Sequence, residues 1–254
     1  MTAGAIRITG TRLANYAAVV AVLVLIWQAA IFILKIPAYL LPSPVSALSA
    51  LHANAGQVGA ATLFTVACTL AGMAISVTVA IVLALALLLS DSLSRALMPI
   101  IIIIRTVPMI AVAPLIIVIF GRGHWNSIGM VALLTFFQIM LAARKGFVSP
   151  TPNVLEMMRT CGASFWQILI KVRVPFAIPY IFTGLRIASS SALLCAMFAE
   201  WLSGAPGLGQ LILDSYSIED FPLMWATVFC STTAAYLFFT LTIAAERLVL
   251  DRLG

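Results

Sequence analysis

Six apolar runs, most of about twenty residues, limit this chain more than any other feature. They lie at 15–34, within 59–89, and at 96–120, 126–143, 180–202 and 223–246. An α-helix rises 1.5 Å per residue, so ~20 apolar residues cross the ~30 Å of bilayer hydrocarbon. The run 59–89 exceeds that need and predicts a tilted span extended at one end. Of 254 residues, 63% are hydrophobic and only 9% are charged, against roughly a quarter charged in a soluble domain. A water-soluble globule and a disordered chain are both excluded. The first run follows Arg7 and Arg12. It is too long for a signal-peptide core and lacks a clear cleavage site. The expected fold is an all-α polytopic membrane protein with about six transmembrane helices.

The net charge of +6 invites a nucleic-acid reading, but the basic residues are spread thinly and sort by topology. With a cytoplasmic N-terminus, the inner segments hold Arg7, Arg12, Arg95, Arg144, Lys145, Arg159, Lys171, Arg173, Arg247 and Arg252. The outer ones hold Lys35 and Arg122. Ten against two is a positive-inside bias, and an even span count puts both termini in the cytoplasm. The bilayer is the expected partner, and nucleic acid is not. Cys68, Cys161, Cys195 and Cys230 form no CxxC pair, and three lie in apolar stretches. They read as small apolar filler rather than disulfides or zinc ligands. His52 and His124 lie far apart, so no metal site is expected.

The inner segment 144–179 is too long for a simple turn, and long ordered loops tend to be functional. Thr151 is placed to N-cap a short helix with Pro152 at its first position. Val154, Met158 and Cys161 share a face at helical spacing. Gly162 ends that helix. Ser164 and Gln167 form a capping box for a second one, and Pro175 is expected to stop it. An apolar-faced helical pair on this side suits docking into a groove of a soluble partner. Phe165 and Trp166 suit a helix lying in the lipid interface equally well.

Glu156, Gly162 six residues on and Pro175 thirteen further resemble the EAA loop of ABC-transporter permeases. The likeness extends through Arg159, Gly162-Ala163-Ser164, Gln167, Pro179, Gly184-Leu185-Arg186, Ala199-Glu200 and Gly207-Leu208-Gly209. Upstream it includes Leu41-Pro42-Ser43-Pro44 and Arg105-x-x-Pro108. Residues 37–250 are similar to the permeases serving aliphatic sulfonates, taurine, nitrate and some vitamin precursors. Met157 and Met158 stand where that family usually has alanines, and Val172 and Val174 where it has Ile and Leu. Gly121-Arg122-Gly123-His124-Trp125 is longer and more polar than its usual glycine turn.

The resemblance implies a type I ABC importer permease of the bacterial inner membrane. Residues 1–57 would hold the tail, first span and LPSP loop, 58–247 the transmembrane core, and 248–254 a cytoplasmic tail. Glu156, Met157, Met158, Arg159, Gly162, Ala163, Ser164 and Pro175 would couple to a separate ATPase. The implied partners are a second permease copy, two ATPase subunits carrying ATP and Mg, and an extracytoplasmic binding protein. No cofactor and no catalysis are expected on this chain. It has no G-x-x-x-x-G-K-[ST] phosphate loop, and the glycine-rich 204–209 lacks the lysine. The implied solute is a small anion such as sulfonate, taurine or nitrate, the alternative a pyrimidine precursor or riboflavin.

Charges inside the runs carry two readings. A charge at depth costs ~2.5–3.5 kcal/mol on insertion scales, so Arg105 must face protein or water. It is either a cation beside the path, near the helix-breaking Pro108 and Pro114, or a structural partner of Glu200 or a free carbonyl. Glu200 is either a gate or a helix-end contact. Arg186 is expected to snorkel or pair with the loop. Ser190, between small residues, marks a pore-facing or partner-facing surface. A secondary transporter would call for more spans and midplane acids, and a membrane enzyme for a catalytic cluster. The runs supply neither.

Overall fold

The computed structural model describes residue 22 and residues 24–252. Arg7, Arg12 and most of the first half of the run 15–34 lie outside them. Helix α1 (Val24–Leu34) is the described part of that run. There follow α2 (Pro44–Ala53), α3 (Ala55–Leu89), α4 (Asp91–Arg105), α5 (Met109–Phe120) and α6 (His124–Phe147). After them come α7 (Pro152–Thr160), α8 (Phe165–Ile168), α9 (Val174–Ser203), α10 (Leu208–Ser217) and α11 (Phe221–Leu250). No strand occurs among the described residues.

Four stretches are long and apolar enough to cross a membrane: Ala55–Leu89, His124–Phe147, Phe165–Ser203 and Phe221–Leu250. The run expected as one span at 96–120 is instead two helices, α4 and α5, meeting at 102°. The break falls at Thr106-Val107-Pro108. Proline disfavours helical backbone in the residue before it and lacks an N–H to continue the ladder. Thr106 closes α4 by donating its N–H and hydroxyl to the Ile103 carbonyl. Pro99 and Pro114, by contrast, sit inside α4 and α5 without breaking them. The bent pair counts as a fifth span if it crosses as one unit.

Helix α6 is the central element, packed against both α3 and α9. Small residues make this possible. A Cβ on Gly72 of α3 would lie 2.7 Å from the Val131 side chain of α6. One on Gly146 would lie 2.7 Å from the Ala177 backbone, and one on Gly184 2.7 Å from Ala142. The backbones therefore approach closely, the device by which helices associate where no hydrophobic drive separates protein from lipid. Met130, Ile139, Met140, Ala188, Ala192 and Ala196 fill the space between and are fully buried. Ala188 and Ala192 thus face the core, while Ser190 on the same helix is exposed.

The start of α2 follows the LPSP sequence. Pro44 takes the first helical position, and the Ser43 hydroxyl accepts from the Ser46 N–H at 3.1 Å. Trp27 of α1 packs on Phe229 of α11, with ring centroids 4.8 Å apart and Trp225 alongside. Arg186, expected to snorkel or to pair with the loop, finds its partner on another helix. It forms an ion pair with Glu246, joining α9 to the end of α11. Glu246 closes an apolar run and gives no spacing signal of its own.

Replacing Gly184 by Leu is expected to lower the thermal midpoint of the purified protein, at the about 1–3 kcal/mol typical of overpacking. Replacing Gly56 by Leu, where an added Cβ meets nothing within 4 Å, is expected to leave it in place. Equal midpoints in a thermal-unfolding assay would contradict the close-packing account.

Candidate functional site

The connection after α6 holds two short helices around a glycine, as the spacing predicts. Thr151 occupies the N-cap with Pro152 next to it, but the Thr151 side chain makes no capping bond. At the other end Gly162 has φ +76°, in the left-handed region. Its N–H donates to Arg159 O at 2.9 Å, and the Ala163 N–H donates to Met158 O at 3.0 Å. These two bonds form a Schellman motif, which a glycine accommodates without Cβ strain. A Cβ at Gly162 would meet nothing within 4 Å, so its backbone lies open on the outer side of the bend. The capping box is complete. The Ser164 hydroxyl accepts from the Gln167 N–H at 3.3 Å, and the Ser164 N–H donates to Gln167 Oε1 at 2.7 Å.

Pro175 does not stop the second helix. Helix α8 runs through a π-helical turn, Leu169–Arg173, directly into α9. The Val174 N–H bonds five residues back, to Leu169 O. A π-turn widens the ladder and makes room where a proline has no N–H to give and its ring would crowd the preceding turn. The helix expected over 180–202 therefore begins at Phe165, not near 180. The loop's second helix and the membrane helix are one continuous rod.

Val154, Leu155 and Met158 turn partly inward, and Cys161 is exposed. The outward apolar face is formed by Met157, Phe165, Trp166 and Ile170, with Met157 60% and Trp166 62% exposed. Phe165 and Trp166 meet edge-to-face at 5.6 Å. Glu156 and Arg159 are exposed. Among the described residues neither forms an ion pair. The knob is anchored behind: Arg173 donates to Phe147 O at 2.7 Å, tying the root of the rod to the end of α6.

At the opposite end of α9, Glu200 is fully buried. Its Oε2 accepts from the Thr65 hydroxyl and from the Gly209 N–H, both at 3.0 Å. Thr65 Oγ1 in turn accepts from the Leu208 N–H at 2.9 Å. Glu200 and Thr65 thus receive the first two N–H groups of α10, where a negative group also meets the positive end of the helix dipole. A Cβ on Gly207 would fall on the Glu200 carboxylate, and one on Gly209 on the Met197 carbonyl. This explains Gly207 and Gly209, where the sequence suggested only a turn-rich loop, while Gly204 takes the left-handed C-cap of α9 at φ +72°. Asn126 Nδ2 donates to Ala199 O at 3.1 Å beside it.

Arg105 lies at the end of α4, exposed, beside the break at Pro108. It is not paired with Glu200. Nothing among the described residues brings Arg105, Glu200 and Ser190 into one cluster, nor groups three metal-ligating side chains.

Glu200→Ala and Gly207→Val are expected to release the start of α10. Hydrogen exchange of the peptide covering 204–217 should accelerate at least about tenfold as that helix opens locally. Unchanged exchange in both would remove the carboxylate from the role of clamp.

With the geometry in place, comparison with known proteins gives a consistent picture. The family model described as binding-protein-dependent transport system inner membrane component matches residues 76–253. The chain is 33% identical over 233 residues to the riboflavin transport system permease protein RibX of Chloroflexus aurantiacus, covering 91% of this chain and 85% of that one. It is 30% identical over 229 residues to the formylaminopyrimidine transport permease protein ThiX of Halalkalibacterium halodurans, covering 90% and 91%. The putative aliphatic sulfonates transport permease protein SsuC of Bacillus subtilis is 32% identical over a shorter stretch, 44% of this chain and 41% of that one. In structure, the chain resembles an inward-facing form of the MetNI methionine ABC transporter. The TM-score is 0.66 at 20% sequence identity, over 77% of this chain and 97% of that one. Matched over more than half its length by the family model and over nine-tenths of it by named permeases, this multi-pass chain belongs to the inner-membrane permease components of binding-protein-dependent ABC transporters.

Proposed function

We propose that this chain is the membrane path of an ATP-driven importer for a small solute, with its inner knob seated in a separate ATPase subunit. The observation that carries the reading is the unbroken rod from Phe165 to Ser203. An exposed apolar knob at one end of a rigid helix can pass a partner's displacement into the bilayer without a flexible joint between. Helix α7, held across Gly162 by two backbone bonds, moves with it. Met157, Phe165 and Trp166 would enter the partner's groove, the open backbone at Gly162 would permit close approach, and Glu156 and Arg159 would meet polar groups at the rim. Met158, Ala163, Ser164 and Pro175 would shape the knob rather than touch the partner.

In this reading the ATPase pair binds ATP and Mg, a second permease copy completes the pore, and a binding protein delivers the solute outside. The permease does no bond chemistry. Closing the ATPase pair draws the two knobs together and tilts the rods between inward-open and outward-open states. Arg105, Pro108, Ser190 and Glu200 are assigned to the path and its outer end, Glu200 as the clamp on α10. A small anion is supported by the exposed guanidinium of Arg105 at a helix break. A heterocyclic solute is supported by the near full-length likeness to RibX and ThiX.

Gly162→Leu is the direct test. A bulky residue in the left-handed region is strained by about 1–2 kcal/mol and fills the open side of the bend. Membrane insertion should persist, while solute-stimulated ATP hydrolysis by the assembled complex falls to its basal level. Normal transport by this variant would defeat the proposal. Sidedness is read separately from Cys161, the exposed native cysteine. A membrane-impermeant maleimide should label it in inverted vesicles and spare it in intact spheroplasts. The opposite pattern would overturn the cytoplasmic placement of the knob.

A further inference from the structure

A crevice of about 940 Å³ opens between α1, α2 and α11. Val24, Trp27, Val45, Leu48, Trp225 and Phe229 are among the residues that line it. Thr232, which also lines it, spends its hydroxyl on Val228 O at 2.9 Å. The wall therefore offers hydrocarbon and aromatic faces. Its depth can be measured along the two long helices. Trp27 lies eight residues before Lys35, and Phe229, on which it packs, lies eight residues after Phe221. At 1.5 Å per residue the contact stands ~12 Å from both of those points. Tyr39 meets Phe221 with ring centroids 6.3 Å apart, which puts the end of α1 and the start of α11 at one level. Val24 and Thr232 mark the floor, each eleven residues in, or ~16 Å. That is the depth of one leaflet, half of ~30 Å of hydrocarbon.

Opposite charges stand at its two rims. Lys35 turns the chain out of α1 with φ +50°, and Glu219 turns it toward α11 with φ +60°. They are the only non-glycine residues in the left-handed region among the described residues. Such backbone costs free energy and concentrates at functional sites. Both side chains are exposed, and neither forms an ion pair among the described residues. Asp220 adds a second carboxylate beside Glu219, with its Oδ1 accepting from the Leu223 N–H as the cap of α11. We propose that the crevice binds one membrane aminophospholipid, with the acyl chains against Trp27, Leu48 and Phe229, the phosphate on Lys35 and the primary ammonium on Glu219. A lysine at a helix end is a point charge suited to phosphate, and a carboxylate accepts a charge-assisted bond from an ammonium. The two rims together match a zwitterion. An anionic glycerol headgroup has no ammonium for Glu219 and is repelled by it. A choline headgroup keeps the charge but has no N–H to donate. The site needs only the membrane setting that the family gives, and it stands whether or not the importer reading does.

The test is native mass spectrometry of the full-length permease titrated with equal amounts of phosphatidylethanolamine, phosphatidylglycerol and phosphatidylcholine of the same chains. Wild type should retain the ethanolamine lipid at least about fivefold better than the glycerol lipid, the scale of one charge near a membrane surface, with choline between. Glu219→Gln should erase that preference. Lys35→Gln should weaken all three lipids by about fivefold. Leu48→Trp, which fills the crevice, should lower retention of all three further. Glu219→Gly separates binding from folding. Glycine accepts the left-handed backbone without strain, so the thermal midpoint should hold or rise while the lipid preference is lost. A phosphatidylethanolamine with a photoreactive acyl chain should label peptides covering 24–51 and 221–232. The proposal is overturned if wild type retains the glycerol lipid as well as the ethanolamine lipid, or if the variants behave as wild type does. Label spread evenly onto exposed Val118 of α5 would also overturn it, and so would permease-to-permease crosslinks through the crevice peptides, which would give the crevice to a second copy.

Discussion

Close backbone approach along α6 is the constraint on which the remaining structure depends. In hydrocarbon there is no water to accept a stray polar group, so helices must satisfy their own backbones and hold one another by shape. Gly72, Gly146 and Gly184 let α3, α6 and α9 meet at distances that any Cβ would forbid. With these three locked, α4, α5 and α11 can remain largely uncovered. Their exposed apolar side chains, Val118 and Leu241 among them, suit lipid or a second protomer rather than water.

The locked centre also sets what moves as a unit. The rod Phe165–Ser203 carries the knob at one end and the buried Glu200 clamp at the other. Arg173 fastens its root to α6, and Arg186 fastens its middle to α11 through Glu246. A force applied at Trp166 therefore reaches Gly209 through helix backbone and direct side-chain bonds alone. The elbow at Pro108 is a different kind of element. It is built on α4 and α5, which pack on the core far more lightly than α3 and α9 pack on α6.

Much of this was legible in the residues because its causes are local. Apolar length announced the spans, Ser43-Pro44 announced α2, and Ser164-x-x-Gln167 announced its own capping box. Gly162 announced the turn. The misses arise where a local rule met a non-local remedy. Pro175 reads as a stop, but a π-turn absorbs it and lets the helix start fifteen residues before the expected 180. The run 96–120 reads as one helix because hydropathy is blind to direction, and of its prolines only Pro108 breaks the path. Glu200 reads as a lone acid because its partners, Thr65 and Gly209, lie 135 and 9 residues away.

The π-turn at Leu169–Arg173 has a geometric corollary. A π-turn accommodates one more residue than the α-turn it replaces, and one residue is worth about 100° of azimuth on a 3.6-residue helix. The side chains of Phe165 and Trp166 are thus clocked against those of the bilayer-embedded half by this single insertion. A chain one residue shorter there would form an ordinary α-turn and point the same aromatic pair toward a different quarter of the compass. Orientation of the knob is therefore a one-residue dial, set apart from both the packing of the spans and the chemistry of the contact surface.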